Sequence, residues 1–150
     1  MDHHELLKKY RTASLAFIQA AGEIKPSLMN ESKDGEWSAA FIIHHLADGE
    51  LQFGVRYANT LAEDNPPIIP FDEKKFPSAL RYHNRTVEAS LNSLSATHAM
   101  NYEILKNASD ADWKRISAHP ERGELTLADL VSMATNHTES HIAQLKNTVI

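Results

Sequence analysis

Apolar residues recur at three- and four-residue steps through most of this chain, the spacing that lines one face of an α-helix. The first such stretch runs from about Asp2 to Ile24 and carries Leu6, Leu7, Tyr10, Ala13, Phe17, Ala20 and Ile24. Asp2 and Glu5 are spaced as a capping box at its start, and Gly22 and Pro26 stop it. The second opens at Ser38, where the hydroxyl can cap the first turn and Trp37 can pack on Ile42. It runs to about Ala62, before Asn65-Pro66-Pro67. A non-helical connection follows, through Pro70 to Phe76-Pro77. The third stretch, Ser78 to Asn107, carries Leu80, Val87, Leu91, Leu94, His98, Tyr102 and Leu105 on one face, and Ser109-x-x-Asp112 predicts a turn or two near Trp113. The fourth opens at Thr126, with Asp129 completing a capping box and Leu125 set to pack on Leu130. Four helices of this length predict an all-α domain built as a four-helix bundle.

Composition narrows what such a bundle can do. The chain has 150 residues, enough to bury about 70% of its unfolded surface in a single core, so one domain over 1–150 is expected. It has no cysteine, which excludes a disulfide framework, a Cys-ligated zinc, an iron–sulfur cluster and a cysteine nucleophile. Any metal must be held by His, Asp or Glu. A net charge of −5 argues against nucleic acid as a partner. With no basic leader running into an apolar core and no long apolar run, neither a secretory signal nor a membrane span is expected, and a soluble, cytoplasmic protein is the expectation.

The chain has nine histidines. His3, His4, His83 and His119 fall at a terminus, on a polar face or in a loop, where solvated side chains are expected. His98 sits on an apolar stripe and reads as a hydrogen-bonded core residue. His137 and His141 differ, because an i,i+4 pair puts two imidazoles on one helix face within reach of one metal ion. Helical steps from this pair lead back to Leu130 and Met133 or Ala134 and forward to Gln144 and Leu145, so the pair points inward. Glu139 lies about 200° around the wheel from His137 and faces away. The His-Glu-x-x-His pattern of zinc proteases is absent. A third ligand would come from another helix. His44-His45 is the obvious source; only one of two adjacent residues is expected to face the core, and the wheel does not decide between the two.

The motifs, in order, are Trp37-Ser38, His45-Leu46-Ala47-Asp48, Gly123-x-x-Thr126-Leu127 and His137-x3-His141-x2-Gln144-Leu145. Together they resemble the DinB/YfiT-like superfamily of metalloenzymes over nearly the whole chain. The resemblance implies a left-handed four-helix bundle of up-down-down-up order, with a long crossover between the second and third helices. It also implies a divalent metal, zinc or nickel, held by His45, His137 and His141. Spacing agrees with the crossover. Glu63 to Phe76 can span about 46 Å when extended, against about 37 Å for the second helix.

Three neutral imidazoles leave coordination positions open, the pattern of a catalytic site. In one reading, implied by the resemblance, the metal activates the thiol of a small cofactor such as bacillithiol, mycothiol or glutathione for S-transfer to an electrophile. In the other, metal-activated water hydrolyses a carbonyl or amide substrate, with Asp48 or Gln52 as candidate base. Asp48 fits better as a residue that orients a ligand imidazole, and Gln144 fits the same role. A non-enzymatic metal-binding bundle is the third possibility. The expected partner is a small-molecule substrate, and a homodimer is permitted. The pocket mouth is expected between the Asn65-to-Pro77 connection and the Trp113-to-Gly123 loop. Trp113, Phe71, Phe76 and Tyr57 are candidate lining residues; Arg56 and Arg122 could meet a carboxylate-bearing thiol, but exposed surface charge is the expectation for both.

Overall fold

The computed structural model describes residues 1–149. Its four long helices are α1 (His3–Gly22), α2 (Ala39–Ala62), α4 (Val87–Lys106) and α5 (Leu127–Asn147). A one-turn helix α3 (Phe76–Ala79) lies in the crossover, and a hairpin of β1 (Ile116–His119) and β2 (Gly123–Thr126) precedes α5. A polar side chain starts each long helix by accepting from an otherwise unpaired N–H. Asp2 accepts from Glu5 at 2.9 Å, Ser38 from Phe41 at 3.2 Å and Thr86 from Ala89 at 3.2 Å. Thr126 accepts from Asp129 at 3.0 Å while Asp129 accepts from the Thr126 N–H at 2.9 Å, a complete capping box. Such caps contribute about 1 kcal/mol each.

Two expectations are corrected. The third long helix begins at Val87, not at Ser78. Arg81 adopts a left-handed conformation with φ 53° and redirects the chain into a 3-10 turn at Tyr82–Asn84, after which Thr86 starts the helix afresh. Leu80 is therefore off the apolar face, and it is 44% exposed. The segment after Trp113 is also no simple loop. Ile116 pairs with Thr126 and His119 with Gly123 in an antiparallel ladder. The crossover is pinned to this hairpin, with Ile68 N–H donating to Ala118 O and Ala118 N–H to Pro66 O, both at 2.8 Å.

Side-chain contacts set the helix directions. His44 meets Ser90 while Glu50 meets His98 and Asn101, so α2 and α4 run the same way. His45 meets His137, and the next turn, Gly49, also lies against His137 while Phe53 shares a cavity wall with Met133, so α2 and α5 run oppositely. The apolar core falls into two clusters. One holds Leu6, Phe53, Tyr57, Leu105, Trp113 and Leu130; the other holds Phe17, Ile42, Ile43, Leu46, Leu94 and Leu145. Between them, at mid-height in every helix, lies a polar layer that contains Glu50, His98 and Asn101 and the three histidines singled out above. No helix among the described residues is long and apolar enough to cross a membrane.

Candidate metal centre

His45 from α2 and His137 and His141 from α5 converge in this polar layer. Nε2 of His137 lies 2.9 Å from Nε2 of His45 and 3.1 Å from Nε2 of His141, and the three candidate ligand atoms all fall within 4.8 Å of one another. Tetrahedral zinc with Zn–N of about 2.0–2.1 Å needs N···N separations of about 3.3–3.4 Å; the two contacts of His137 come within a few tenths of an ångström of that value, and the third pair lies within 4.8 Å. His45 is almost fully buried and the other two half-buried. The edge of Trp37 packs on the His45 ring, with centroids 5.2 Å apart.

Charge chemistry agrees with a ligand role, because a metal needs the neutral imidazole. Burial, then the neighbouring His141, pushes His45 down to about 4. Burial, then His141 and His45, does the same to His137, also to about 4. Burial also lowers His141. His44 is held at about 4 by burial and by Arg85. A pH dependence follows. Each folded-state value lies below the unfolded value of 6.5, so the folded metal-free protein binds fewer protons than the unfolded chain. The stability these neutral rings contribute is complete above pH 6.5 and lost as pH falls toward 4. The urea midpoint of metal-free protein is expected to drop steadily from pH 7 to 4.5. A midpoint that holds across that range would contradict neutral burial of these rings.

The family model described as the DinB superfamily matches residues 6–145. The chain belongs to the DinB superfamily. Among its curated relatives, a protein of Oceanobacillus iheyensis named "Putative metal-dependent hydrolase OB0782" is 31% identical over 113 residues, covering 75% of this chain and 65% of that one. YfiT of Bacillus subtilis, named in the same terms, is 30% identical over 114 residues, covering 75% and 64%. The match thus spans just under two thirds of each of these relatives. Among solved structures, YfiT from Bacillus subtilis, described as a probable metal-dependent hydrolase with an unusual four-helix bundle topology, aligns over 97% of this chain and 85% of its own. The TM-score is 0.87 at 24% identity. The mycothiol-dependent maleylpyruvate isomerase aligns over 97% of this chain and 61% of its own, with TM-score 0.81 at 13% identity.

Within this DinB bundle, the adjacent histidines are both buried, so the expectation that only one of them could face the core is corrected. α2 packs against α5 on one side and α4 on the other; His45 turns to α5, while His44 Nδ1 lies 2.8 Å from Ser90 Oγ on α4. Asp48 is corrected too. It makes no hydrogen bond to an imidazole of the cluster; its carboxylate accepts from Tyr82 OH at 2.6 Å and from Arg85 at 2.8 Å, which ties the turn after α3 to α2. Gln144 Oε1 lies 2.6 Å from His141 Nδ1. Glu139 is exposed and pairs with Lys9 at 3.6 Å, facing away as its wheel position predicts.

A cavity of about 460 Å³ opens beside His137, walled by Phe53 and Arg56 of α2, Pro70, Phe71 and Glu73 of the crossover, His119 and Arg122 of the hairpin, and Met133 and Asn136 of α5. Trp113 and Tyr57, expected at its lining, are instead in the core. Phe76 stands behind the wall and packs on Phe71 at 5.1 Å. Three residues escaped sequence reasoning. Glu73 Oε2 lies 3.5 Å from His45 Nε2, although nothing in its local sequence sets it apart from other crossover charges. His119 Nδ1 accepts from the N–H groups of Glu121 and Arg122 at 3.1 and 3.0 Å, ordering the hairpin turn beside the cavity. Glu50 is buried at the bundle centre, where Tyr10 OH donates to it, His98 Nδ1 lies 3.2 Å away and Asn101 donates at 3.0 Å. Burial would raise its carboxyl, but these hydrogen bonds outweigh burial and hold it below the ordinary glutamate value.

Proposed function

We propose that this chain is a divalent-metal-dependent enzyme in which His45, His137 and His141 hold zinc or nickel and a low-molecular-weight thiol is activated for transfer to an electrophile. The observation that carries the reading is the convergence of three neutral, partly buried imidazoles on one point at the edge of an open cavity. A structural neighbour whose name is mycothiol-dependent maleylpyruvate isomerase shares the fold and supports the thiol, and the absence of cysteine means that any sulfur nucleophile comes from outside the chain. When bound, the metal lowers the pKa of a thiol in its open position so that the sulfur is nucleophilic at neutral pH.

The protein's own groups do the rest. Gln144 Oε1 accepts the Nδ1–H of His141 and so leaves Nε2 as that ring's lone-pair donor. Glu73 is the carboxylate beside His45 and accepts the proton the thiol gives up. The cavity walls hold the electrophile while the new S–C bond forms and the leaving group departs with its electron pair. Gln144→Ala is expected to weaken zinc binding about 10–100-fold, measured by competition with a chromogenic chelator. An unchanged affinity would remove Gln144 from the site.

The deciding experiment mixes metal-loaded protein with 1-chloro-2,4-dinitrobenzene and, in turn, bacillithiol, mycothiol and glutathione. Acceleration with one thiol, abolished by chelation, is expected. No metal-dependent acceleration with any of them overturns the reading. A second reading, metal-dependent hydrolysis, is favoured by the names of the relatives and by Glu73, which could equally serve as base toward water. Metal-dependent turnover of 4-nitrophenyl esters without thiol would select it.

A further inference from the structure

Charges of both signs line the cavity. Among the described residues its only carboxylate is that of Glu73, 3.5 Å from His45. Arg56, Arg122 and His119 belong to the rest of the wall. Arg56 is the unusual member. Its Nε is buried and has no hydrogen-bond partner, and among the described residues it forms no salt bridge. Arg115, by contrast, spends its guanidinium on the carbonyls of Thr60 and Glu63. The Arg56 guanidinium carbon stands 5.2 Å from the Phe53 ring centroid and 5.6 Å from that of Phe71, within cation–π range of two aromatic rings. Burial lowers its pKa, with no carboxylate to compensate. A half-buried cation whose Nε–H is sealed from water without an acceptor, and which has no salt-bridge partner among the described residues, can take a planar anion.

We propose that this cavity binds ligands bearing a carboxylate, recognised by the Arg56 guanidinium, which stands on α2 about two helical turns beyond the level of the three-histidine centre. The distance comes from the helix itself. A Cβ built on Gly49 would lie 3.8 Å from the His137 Cε1 atom, and the Arg56 backbone is seven residues further along α2, a rise of about 10 Å that its side chain, leaning back toward the helix start, shortens. Glu73, lining the same cavity, works against a dianion such as a phosphate monoester and favours a single carboxylate. Resting on the thiol reading above, the inference makes the co-substrate a carboxylate-bearing thiol of defined length.

The test uses cobalt(II)-loaded protein, in which sulfur coordination is seen as a near-ultraviolet charge-transfer band. 6-Mercaptohexanoate, whose carboxylate can reach Arg56, is expected to bind about 10–100-fold more tightly than 6-mercaptohexan-1-ol. Arg56→Met keeps an apolar stem between the two rings and is expected to erase that preference while leaving the alcohol's affinity unchanged. Mercaptoacetate, too short to span the distance, is expected to bind both proteins alike. Equal affinity for the acid and the alcohol, or a preference that survives Arg56→Met, overturns the inference and leaves the thiol reading standing. If neither long thiol perturbs the cobalt spectrum, the thiol reading fails instead. The carboxylate contact is then still decided in metal-free protein by the Arg56 Nε–H resonance, which hexanoate is expected to shift and hexan-1-ol is not. No shift with hexanoate overturns the proposal whatever the cobalt titration gives.

Discussion

Replacing His137 by alanine is expected to reduce bound zinc or nickel from stoichiometric to background. His137 Nε2 is within 3.1 Å of both other ring nitrogens, so its loss leaves two donors where three shared one ion. His45→Ala should do the same. In the parent protein, zinc at about 100 times its dissociation constant adds about 2.7 kcal/mol of stability and raises the melting temperature by roughly 5–10 °C. In His137→Ala that rise should vanish. The metal-free variant should keep its helical signal and stay within about 1 kcal/mol of its parent, because the deleted ring is half-buried and burial keeps it neutral, so no ion pair is lost with it. Unchanged metal content by elemental analysis would end the assignment.

The second large effect lies outside the metal centre. Glu50→Ala removes the shared acceptor of Tyr10, His98 and Asn101 from a layer sealed above and below by apolar clusters. Breaking a buried charged network on one side costs about 3–5 kcal/mol, because the remaining partners stay buried without their hydrogen bonds. The melting temperature should fall by roughly 6–20 °C. Glu50→Gln keeps the shape and one acceptor oxygen and should lose less. Neither change touches an imidazole of the metal centre, so zinc stoichiometry should hold in the folded variants. A loss below about 1 kcal/mol for Glu50→Ala would mean that the network is not closed in the way its distances suggest. Gly54 belongs to the same design. A Cβ there would sit 2.6 Å from Asn101 Oδ1, so only glycine lets Asn101 reach Glu50.

Legibility followed the range of the physics. The starts of α1, α2 and α5 are set by a side chain acting on the next turn, within three residues, and they could be read directly at Asp2, Ser38 and Thr126. The true start of α4 obeys the same rule at Thr86, but an apolar stripe extending back to Leu80 masked it. The break at Arg81 is a single left-handed residue with no glycine to mark it. The hairpin strands are four residues each, too short for alternation to stand out from a loop.

The site divides along the same line. That His137 and His141 share an inward face is a property of one helix, so sequence alone determined it, just as the missing cysteines determined that no thiolate of the chain can hold a metal. The long proline-rich connection was visible in the sequence too, and its length agreed with the crossover that the family resemblance implied. Tertiary structure decided what depends on a neighbour. It sent His45 to α5 and His44 to α4, because α2 is enclosed on two sides and a helical wheel assumes one. It took Asp48 away to Tyr82 and Arg85 and brought Glu73 to His45 from the crossover. It made Glu50 a buried anion, since only donors arriving from α1 and α4 make burial of a carboxylate tolerable. Interactions within a few residues are written along the chain, whereas the partner of a buried charge exists only once separate helices have packed.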